Sequence, residues 1–403
     1  MDWTAAARRV LARCDALAAH SESGEGLTRT FLSEPMRAVH AELRGWLAAA
    51  GCAVRLDGVG NLVGRYAGAE PDAPVLVIGS HLDTVRNAGR YDGALGVLLG
   101  LAALEALGGR RWPFAVDLVG FSEEEGVRFL VPFIGSRGYL GELDDGMLEL
   151  ADAEGMSVRE AIRAFGLEYG PGSAPENAIG FLEVHIEQGP VLEQLGKPLG
   201  VVTAIQGSSR AEVSFAGRAG HAGTTPMALR KDAFMAAAEW ALAVEALARS
   251  ALGLVATVGR AQVEPGAANV IPGAAALSLD VRHADDAQRL QAVAALRARA
   301  GAVAAARGLS FEWSVVLDQR AVPMDAGLQE LLLEAAPEGT PSLPSGAGHD
   351  AMILAEAMPA AMLFVRSPGG LSHHPDEDVL EEDVAAALGT LARALELLAA
   401  RHA

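Results

Sequence analysis

Two nearly continuous apolar runs, 74–79 (PVLVIG) and 113–121 (PFAVDLVGF), constrain the fold of this chain more than any other feature. Neither alternates polar with apolar residues, so neither fits a strand with one face in water. Such runs suit strands buried on both faces of a mostly parallel sheet. The stretch between them, 92–107, is rich in glycine, alanine and leucine and reads as a helix. Strand, helix, strand is the repeating unit of α/β folds. Each run ends in polar residues. Ser80 and His81 follow the first; Ser122, Glu123, Glu124 and Glu125 follow the second. Ligands of open α/β sheets bind at that carboxyl edge.

Elsewhere, helical periodicity covers 2–17 and 35–50, and short strands at 53–56 and 61–66 flank a turn. Residues 211–316 follow another pattern: strand 211–216, helix 232–248, strands 254–263 and 274–282, helix 285–306 and strand 310–316. This β-α-β-β-α-β order is the split-βαβ (ferredoxin-like) arrangement. The first pattern resumes with a helix at 328–334, a strand at 361–365 and a closing helix at 382–400. The expectation is a mostly parallel α/β domain, 1–208 and 319–403, interrupted by a smaller split-βαβ domain, 209–318. A chain of 403 residues accommodates two domains of ordinary size.

The formal net charge is −19, which disfavours nucleic acid and anionic lipid as partners. No run of about 18 uncharged apolar residues is present, so no membrane span is expected. The first 20 residues contain Asp2, Arg8, Arg9, Arg13 and Asp15, and so lack the apolar stretch of a signal peptide. Cys14 and Cys52 have no CxxC partner, which fits a reducing compartment. The expected location is the cytoplasm.

The chemistry-bearing residues are ambiguous one at a time. His81 and Asp83 share a face if the strand continues, which suits a histidine ligand organised by a nearby carboxylate. A histidine at a strand end is equally a structural residue. Asp92 opens the Gly-Ala helix and reads alone as an N-cap. Glu123, Glu124 and Glu125 repel one another; a cation or a raised pKa relieves that cost, and so does a solvated acidic turn. One of them binding metal while its neighbour serves as general base is the functional alternative. Alternation places Glu183, His185 and Glu187 on one face of a strand. The loop 369–375 (GGLSHHP) delivers two histidines, as ligands or as idle surface residues. Together these segments offer three imidazoles and two carboxylates, a set that suits Zn²⁺, Mn²⁺, Co²⁺ or Ni²⁺. Five ligands exceed one tetrahedral catalytic site but serve two metals if one carboxylate bridges them.

At this point the sequence resembles the M20 metallopeptidase and amidohydrolase superfamily. The branch it resembles contains allantoate amidohydrolases, N-carbamoyl-L-amino-acid hydrolases and β-ureidopropionases. The matching segments are GSHLDTVRNAGRYDGALGVL (79–98), GFSEEEGVRF (120–129), FIGSR (133–137), HIEQGPVLE (185–193), GHAGTTPM (220–227), NVIPG (269–273), DVRH (280–283), SGAGHDAM (345–352) and GGLSHHPDE (369–377). The resemblance implies that Asp92 bridges two divalent metal ions, that His81 and His185 complete one site, and that Glu125 and His373 complete the other. The family's Ser-His-x-Pro pattern selects His373 over His374. It implies Glu124 as the general base, although the extra Glu123 allows a shift by one. It also implies His221 as the residue that polarises the scissile carbonyl, with Gln188, Asn269, Arg282 and Gly348 as substrate contacts; Arg suits a bidentate grip on a carboxylate. The inserted domain is expected to be a lid that forms a homodimer. Cleavage of a ureido C–N bond is the expected reaction, with allantoate the first-choice substrate and N-carbamoyl-L-amino acids or β-ureidopropionate the alternative.

Overall fold

The computed structural model describes residues 2–24 and 26–402. The chain forms two compact units: one reaches Thr203 and resumes at Met324, and the other is Ala204–Pro323.

In the first unit the sheet order is Ala53–Leu56, Leu62–Tyr66, Ala115–Phe121, Val75–His81, Ala178–Ile186, Ala360–Val365 and Leu199–Ile205. Among the described residues, four neighbouring strands run parallel, from Ala115–Phe121 through Val75–His81 and Ala178–Ile186 to Ala360–Val365. The two apolar runs are neighbouring interior strands of the sheet, and every residue of Val75–His81 and Ala115–Phe121 is buried. The helix Ala94–Ala106 is apolar on every side as far as Leu104 and packs against these strands, with Trp3–Ala18 and Glu381–His402 behind it. A helix with no polar face is one that is enclosed.

Asp92 does not cap that helix. The N-cap position belongs to Gly93, with φ 67°, and no side chain caps the helix end. Gly93 is required there: a Cβ would lie 2.5 Å from the His81 carbonyl oxygen and 2.6 Å from its ring. The left-handed turn, open to glycine at little cost, presses the start of the helix onto His81 and leaves the Asp92 carboxylate available.

In the second unit Ala261–Glu264, Ala274–His283, Gly207–Ala216 and Ser310–Gln319 form an antiparallel sheet in that order. Helices Ala233–Ser250 and Asp286–Arg307 cover one face around Phe215, Trp240, Leu277, Leu296 and Val303. The strand Ala274–His283 alternates half-buried with buried residues over its whole length, as a sheet with one covered face requires. The single strand expected over 254–263 is two pieces, Val255–Thr257 and Ala261–Glu264, which pair with opposite ends of Ala274–His283.

One buried group outside the site makes the fold acid-sensitive. His40 lies in helix Glu34–Ala49, its two ring nitrogens have no hydrogen-bond partner, and Phe165 packs edge-on against it. Burial, helped by nearby arginines, lowers its pKa to about 3. The unfolded chain takes up this proton near the ordinary histidine value of about 6.5, and the folded chain does not. Stability tied to His40 is therefore complete above that value and falls as pH drops toward the folded pKa, by up to about 1.4 kcal/mol per pH unit. Urea unfolding at pH 8 and pH 5 is the check. The loss of stability between the two is expected to be smaller in His40→Leu by about 2 kcal/mol; an unchanged difference refutes the assignment.

Candidate metal centre

Each of the four parallel strands delivers site residues at or just beyond its carboxyl end. His81 ends its strand, Glu124 and Glu125 follow Phe121, and His185 is the penultimate residue of Ala178–Ile186 with Gln188 just after it. The loop after Val365 carries Ser372 and His373. Asp92 sits in the connection between His81 and helix Ala94–Ala106. Side chains far apart in sequence meet because a parallel sheet stacks its strand ends on one edge.

His81, Asp92 and His185 are each almost fully buried. Asp92 Oδ1 lies 3.0 Å from His185 Nε2 and 3.3 Å from His81 Nε2. Its other oxygen, Oδ2, lies 3.4 Å from His373 Nε2, which is 3.6 Å from Glu125 Oε1. The two oxygens of one carboxylate thus face two different histidine sets. Donor atoms of His81, Asp92 and His185 fall within 4.8 Å of one another, and so do those of Asp92, Glu125 and His373, and of His81, Glu124 and Glu125.

The hydrogen bonds of the histidines determine which ring nitrogen faces inward. His81 Nδ1 is 3.0 Å from the Asp83 carbonyl oxygen, and His185 Nδ1 is 2.9 Å from the Ile186 carbonyl oxygen. A carbonyl only accepts, so both Nδ1 atoms carry the proton and both Nε2 lone pairs point into the site. Those two nitrogens are 3.4 Å apart, with an Asp92 oxygen beside them. Glu125 Oε1 is buried without a hydrogen-bond partner. Converging lone pairs and an orphaned buried oxygen fit a divalent cation, and the mixed imidazole–carboxylate donors suit a first-row metal ion.

The charges lead to the same conclusion. Burial opposes ionisation of Asp92, yet His185, His373 and His81 hold its carboxyl well below the usual range. Glu125 is pushed up to about 7, by burial first and then by Asp92. Glu124 is raised well above the carboxylate range by burial, with Glu125, Asp350 and Asp83 adding to it and His81 pulling the other way. Crowded carboxyls with raised pKa values recover their ionised form when a cation binds beside them.

The glutamate run is sorted by its hydrogen bonds. Glu123 is folded onto its own loop, where its carboxylate accepts the N–H groups of Gly126 and Ile134. Asp83 accepts the N–H of Glu124 at 2.9 Å and of Glu125 at 3.2 Å, and its Oδ1 lies 3.4 Å from His81 Nδ1. It thereby ties the ring of His81 to the backbone of both glutamates. Gln188, with φ 58°, donates from Nε2 to Asp92 Oδ2 at 2.9 Å while its buried Oε1 has no partner. A Cβ on Gly348 would lie 2.9 Å from the Phe133 ring and 3.9 Å from Glu124 Oε1, which places Gly348 at the edge of the same site. His374 is exposed, and its Nδ1 accepts the Asp376 N–H.

Glu187 departs from the alternation expected of it. The strand ends at Ile186, and Glu187 instead accepts the N–H groups of Val191 and Leu192 at the start of the next helix. Ser372, Glu377 and His349 also lie at the site, with no sequence signal that assigns them a role. His349 Nε2 is 2.9 Å from Ser345 Oγ, and its ring packs edge-on against His185 at 4.5 Å. Beside it, Glu183 accepts from Ser80 Oγ and from the Ala351 N–H.

The remaining expected contacts lie in the second unit. His221 pairs with Val270 in a two-strand ladder, and the Ala222 N–H donates to the Asn269 carbonyl, so His221 and Asn269 are neighbours there. The Arg282 guanidinium grips Asp280 with Nε at 2.9 Å and Nη2 at 3.0 Å. A carboxylate ligand of this arginine therefore competes with Asp280.

The chain is similar along most of its length to enzymes that act on ureido compounds. It is 38% identical to allantoate deiminase 2 of Glycine max, covering 94% of this chain and 87% of that one. It is also 38% identical to the N-carbamoyl-L-amino acid amidohydrolase of Geobacillus stearothermophilus, covering 89% and 90%. Among solved structures, a hydantoinase/carbamoylase family amidase from Burkholderia ambifaria superposes with a TM-score of 0.91 at 36% identity, covering 98% of this chain and 97% of that one. No described helix is long and apolar enough to cross a membrane. The sequence model of one family matches residues 77–397, and with it the chain belongs to peptidase family M20/M25/M40.

Proposed function

We propose that this protein is a metal-dependent amidohydrolase that cleaves a ureido C–N bond of allantoate, releasing ammonia and carbon dioxide and leaving ureidoglycine. The observation that carries the proposal is Asp92, whose two oxygens face separate histidine sets at the carboxyl edge of the sheet. In this reading His81, His185 and Asp92 hold one divalent ion, and Asp92, Glu125 and His373 hold a second. Zn²⁺ or Mn²⁺ suits the donors best, with Co²⁺ or Ni²⁺ compatible. A pair of divalent ions held there supplies charge that polarises a carbonyl and acidifies water.

The protein's own groups do the rest. Glu124 takes the proton from the attacking water and delivers it to the departing nitrogen. Its backbone is pinned on both sides for that task, by Asp83 at its N–H and by the Phe133 N–H at its carbonyl. The unpartnered Gln188 Oε1 accepts an N–H from the substrate. His221 steadies the developing oxyanion, Asn269 binds a substrate amide group, and Arg282 takes the substrate carboxylate in exchange for Asp280. Ala204–Pro323 serves as a lid and as the homodimer surface.

An N-carbamoyl-L-amino acid, or β-ureidopropionate, is the second reading. It is favoured by relatives of both activities matching at the same identity. The Mn²⁺-loaded protein incubated with allantoate and with a panel of N-carbamoyl-L-amino acids decides between them. Ammonia with ureidoglycine supports the first substrate; a free amino acid at a higher kcat/KM rejects it for the second.

A further inference from the structure

Glu377 lies behind the site, 3% exposed, and the roles proposed above do not use it. Both of its oxygens are committed. Oε1 accepts the backbone N–H groups of Tyr91 at 3.0 Å and Asp92 at 3.1 Å. Oε2 is 3.1 Å from Ser372 Oγ, which is also 3.1 Å from Asp92 Oδ2 and receives Gln188 Nε2 at 3.2 Å. One carboxylate therefore fastens two segments whose contacts span 280 to 286 residues, the one that presents Asp92 and the one that presents His373. Gly89 marks how closely they pack: a Cβ there would lie 2.3 Å from Glu377 Cβ and 2.5 Å from its Oε1. His373 follows Ser372 with a left-handed φ of 56°, a conformation uncommon outside glycine.

The Ser372 hydroxyl has one proton and two carboxylates within reach. With Glu377 as acceptor, the proton turns away from Asp92 and leaves open for a cation the Oδ2 lone pair that Gln188 Nε2 does not occupy. Without Glu377 it turns onto Asp92 Oδ2, the oxygen that faces His373.

We propose that Glu377 is a positioning residue for the ion held by Asp92, Glu125 and His373, acting through the Ser372 hydroxyl and the Asp92 backbone. This rests on the two-ion reading above. It differs from a ligand role, because both Glu377 oxygens already accept protons from the chain.

The test is a titration of metal-free protein with Mn²⁺ alone, followed by calorimetry, for the wild type, Glu377→Gln and Glu377→Ala. Removing an outer-shell partner of a metal ligand typically costs 10–100-fold in affinity. In Glu377→Ala one of the two Mn²⁺ sites, the one that Glu125→Gln also weakens, is expected to lose about 10–100-fold, while the other changes by less than about 3-fold. Ammonia release from allantoate, measured against Mn²⁺ concentration, shifts to higher metal by the same factor and recovers at saturation. Glu377→Gln keeps the size and one acceptor oxygen, so it reports on the same site if the alanine variant does not fold. The same site is expected to fall less, by about 10-fold. Two Mn²⁺ affinities unchanged in both variants overturn the role of Glu377 and leave the two-ion reading intact. A wild type that takes up fewer than two ions overturns both. Equal weakening of the two sites assigns Glu377 to general scaffolding and overturns the selectivity proposed here.

Discussion

Glu124→Gln is expected to lower kcat for ammonia release by about 10²–10⁴-fold, the usual contribution of a positioned general base, with metal content unchanged. The amide is nearly isosteric with the carboxylate, so the backbone hydrogen bonds of Glu124 with Asp83 and with the Phe133 N–H survive. What it removes is the capacity to accept a proton and return it. Glu124 suits that task because burial and the surrounding carboxylates raise its pKa well above the usual range. A raised pKa lets the carboxylate hold the transferred proton, and divalent ions bound beside it would lower that pKa enough for the group to start ionised. Steady-state assays with allantoate, paired with elemental analysis of the purified variant, separate the two contributions. Turnover near the wild-type rate removes Glu124 from the mechanism. Turnover lost together with metal makes it a ligand.

The glutamate run also shows how far residues can be read without coordinates. The apolar runs identify the inner strands because a strand buried on both faces has no polar alternation, and the polar residues at their ends mark the site edge. Within Glu123, Glu124 and Glu125, spacing alone leaves a shift by one open, since three adjacent carboxylates are chemically alike. The loop separates them: Glu123 bonds back to Gly126 and Ile134, and only its neighbours reach the donor groups around His81 and Asp92. Glu187 was placed on the ligand face by a period of two, which holds only while the strand lasts; Gln188 at φ 58° turns the chain out of it. The boundaries of the inserted unit were drawn at 209 and 318, while the compact unit runs from Ala204 to Pro323. Its strands continue past their apolar residues, as the polar stretch Gly207 to Arg210 pairs in register with Asp280–His283. Glu377 was invisible for a different reason. It follows a run of loop histidines and looks like part of an acidic surface turn, and its partners at Tyr91 and Asp92 are 286 and 285 residues away.

Asp92→Asn is expected to have the broader effect, because one side chain serves both ion positions. The substitution keeps the shape and one carbonyl oxygen but replaces the other with an amide that donates. It also removes the negative charge that lies between the two ion positions. The loss of a charge-assisted contact at each ion, at about 1.5–3 kcal/mol apiece, totals about 3–6 kcal/mol. That corresponds to about 10²–10⁴-fold in kcat/KM at fixed metal, and both Mn²⁺ affinities should fall. His185→Ala and Glu125→Gln give the contrast: His185 Nε2 lies beside Oδ1 of Asp92, and Glu125 Oε1 lies beside His373 Nε2, which faces Oδ2. Each of these should weaken one affinity and spare the other. The pattern across the three variants, both sites in one and a single different site in each of the others, is what a shared carboxylate requires. If Asp92→Asn loses a single ion and keeps the second at wild-type affinity, the carboxylate belongs to one site, and the five donors must be divided in another way.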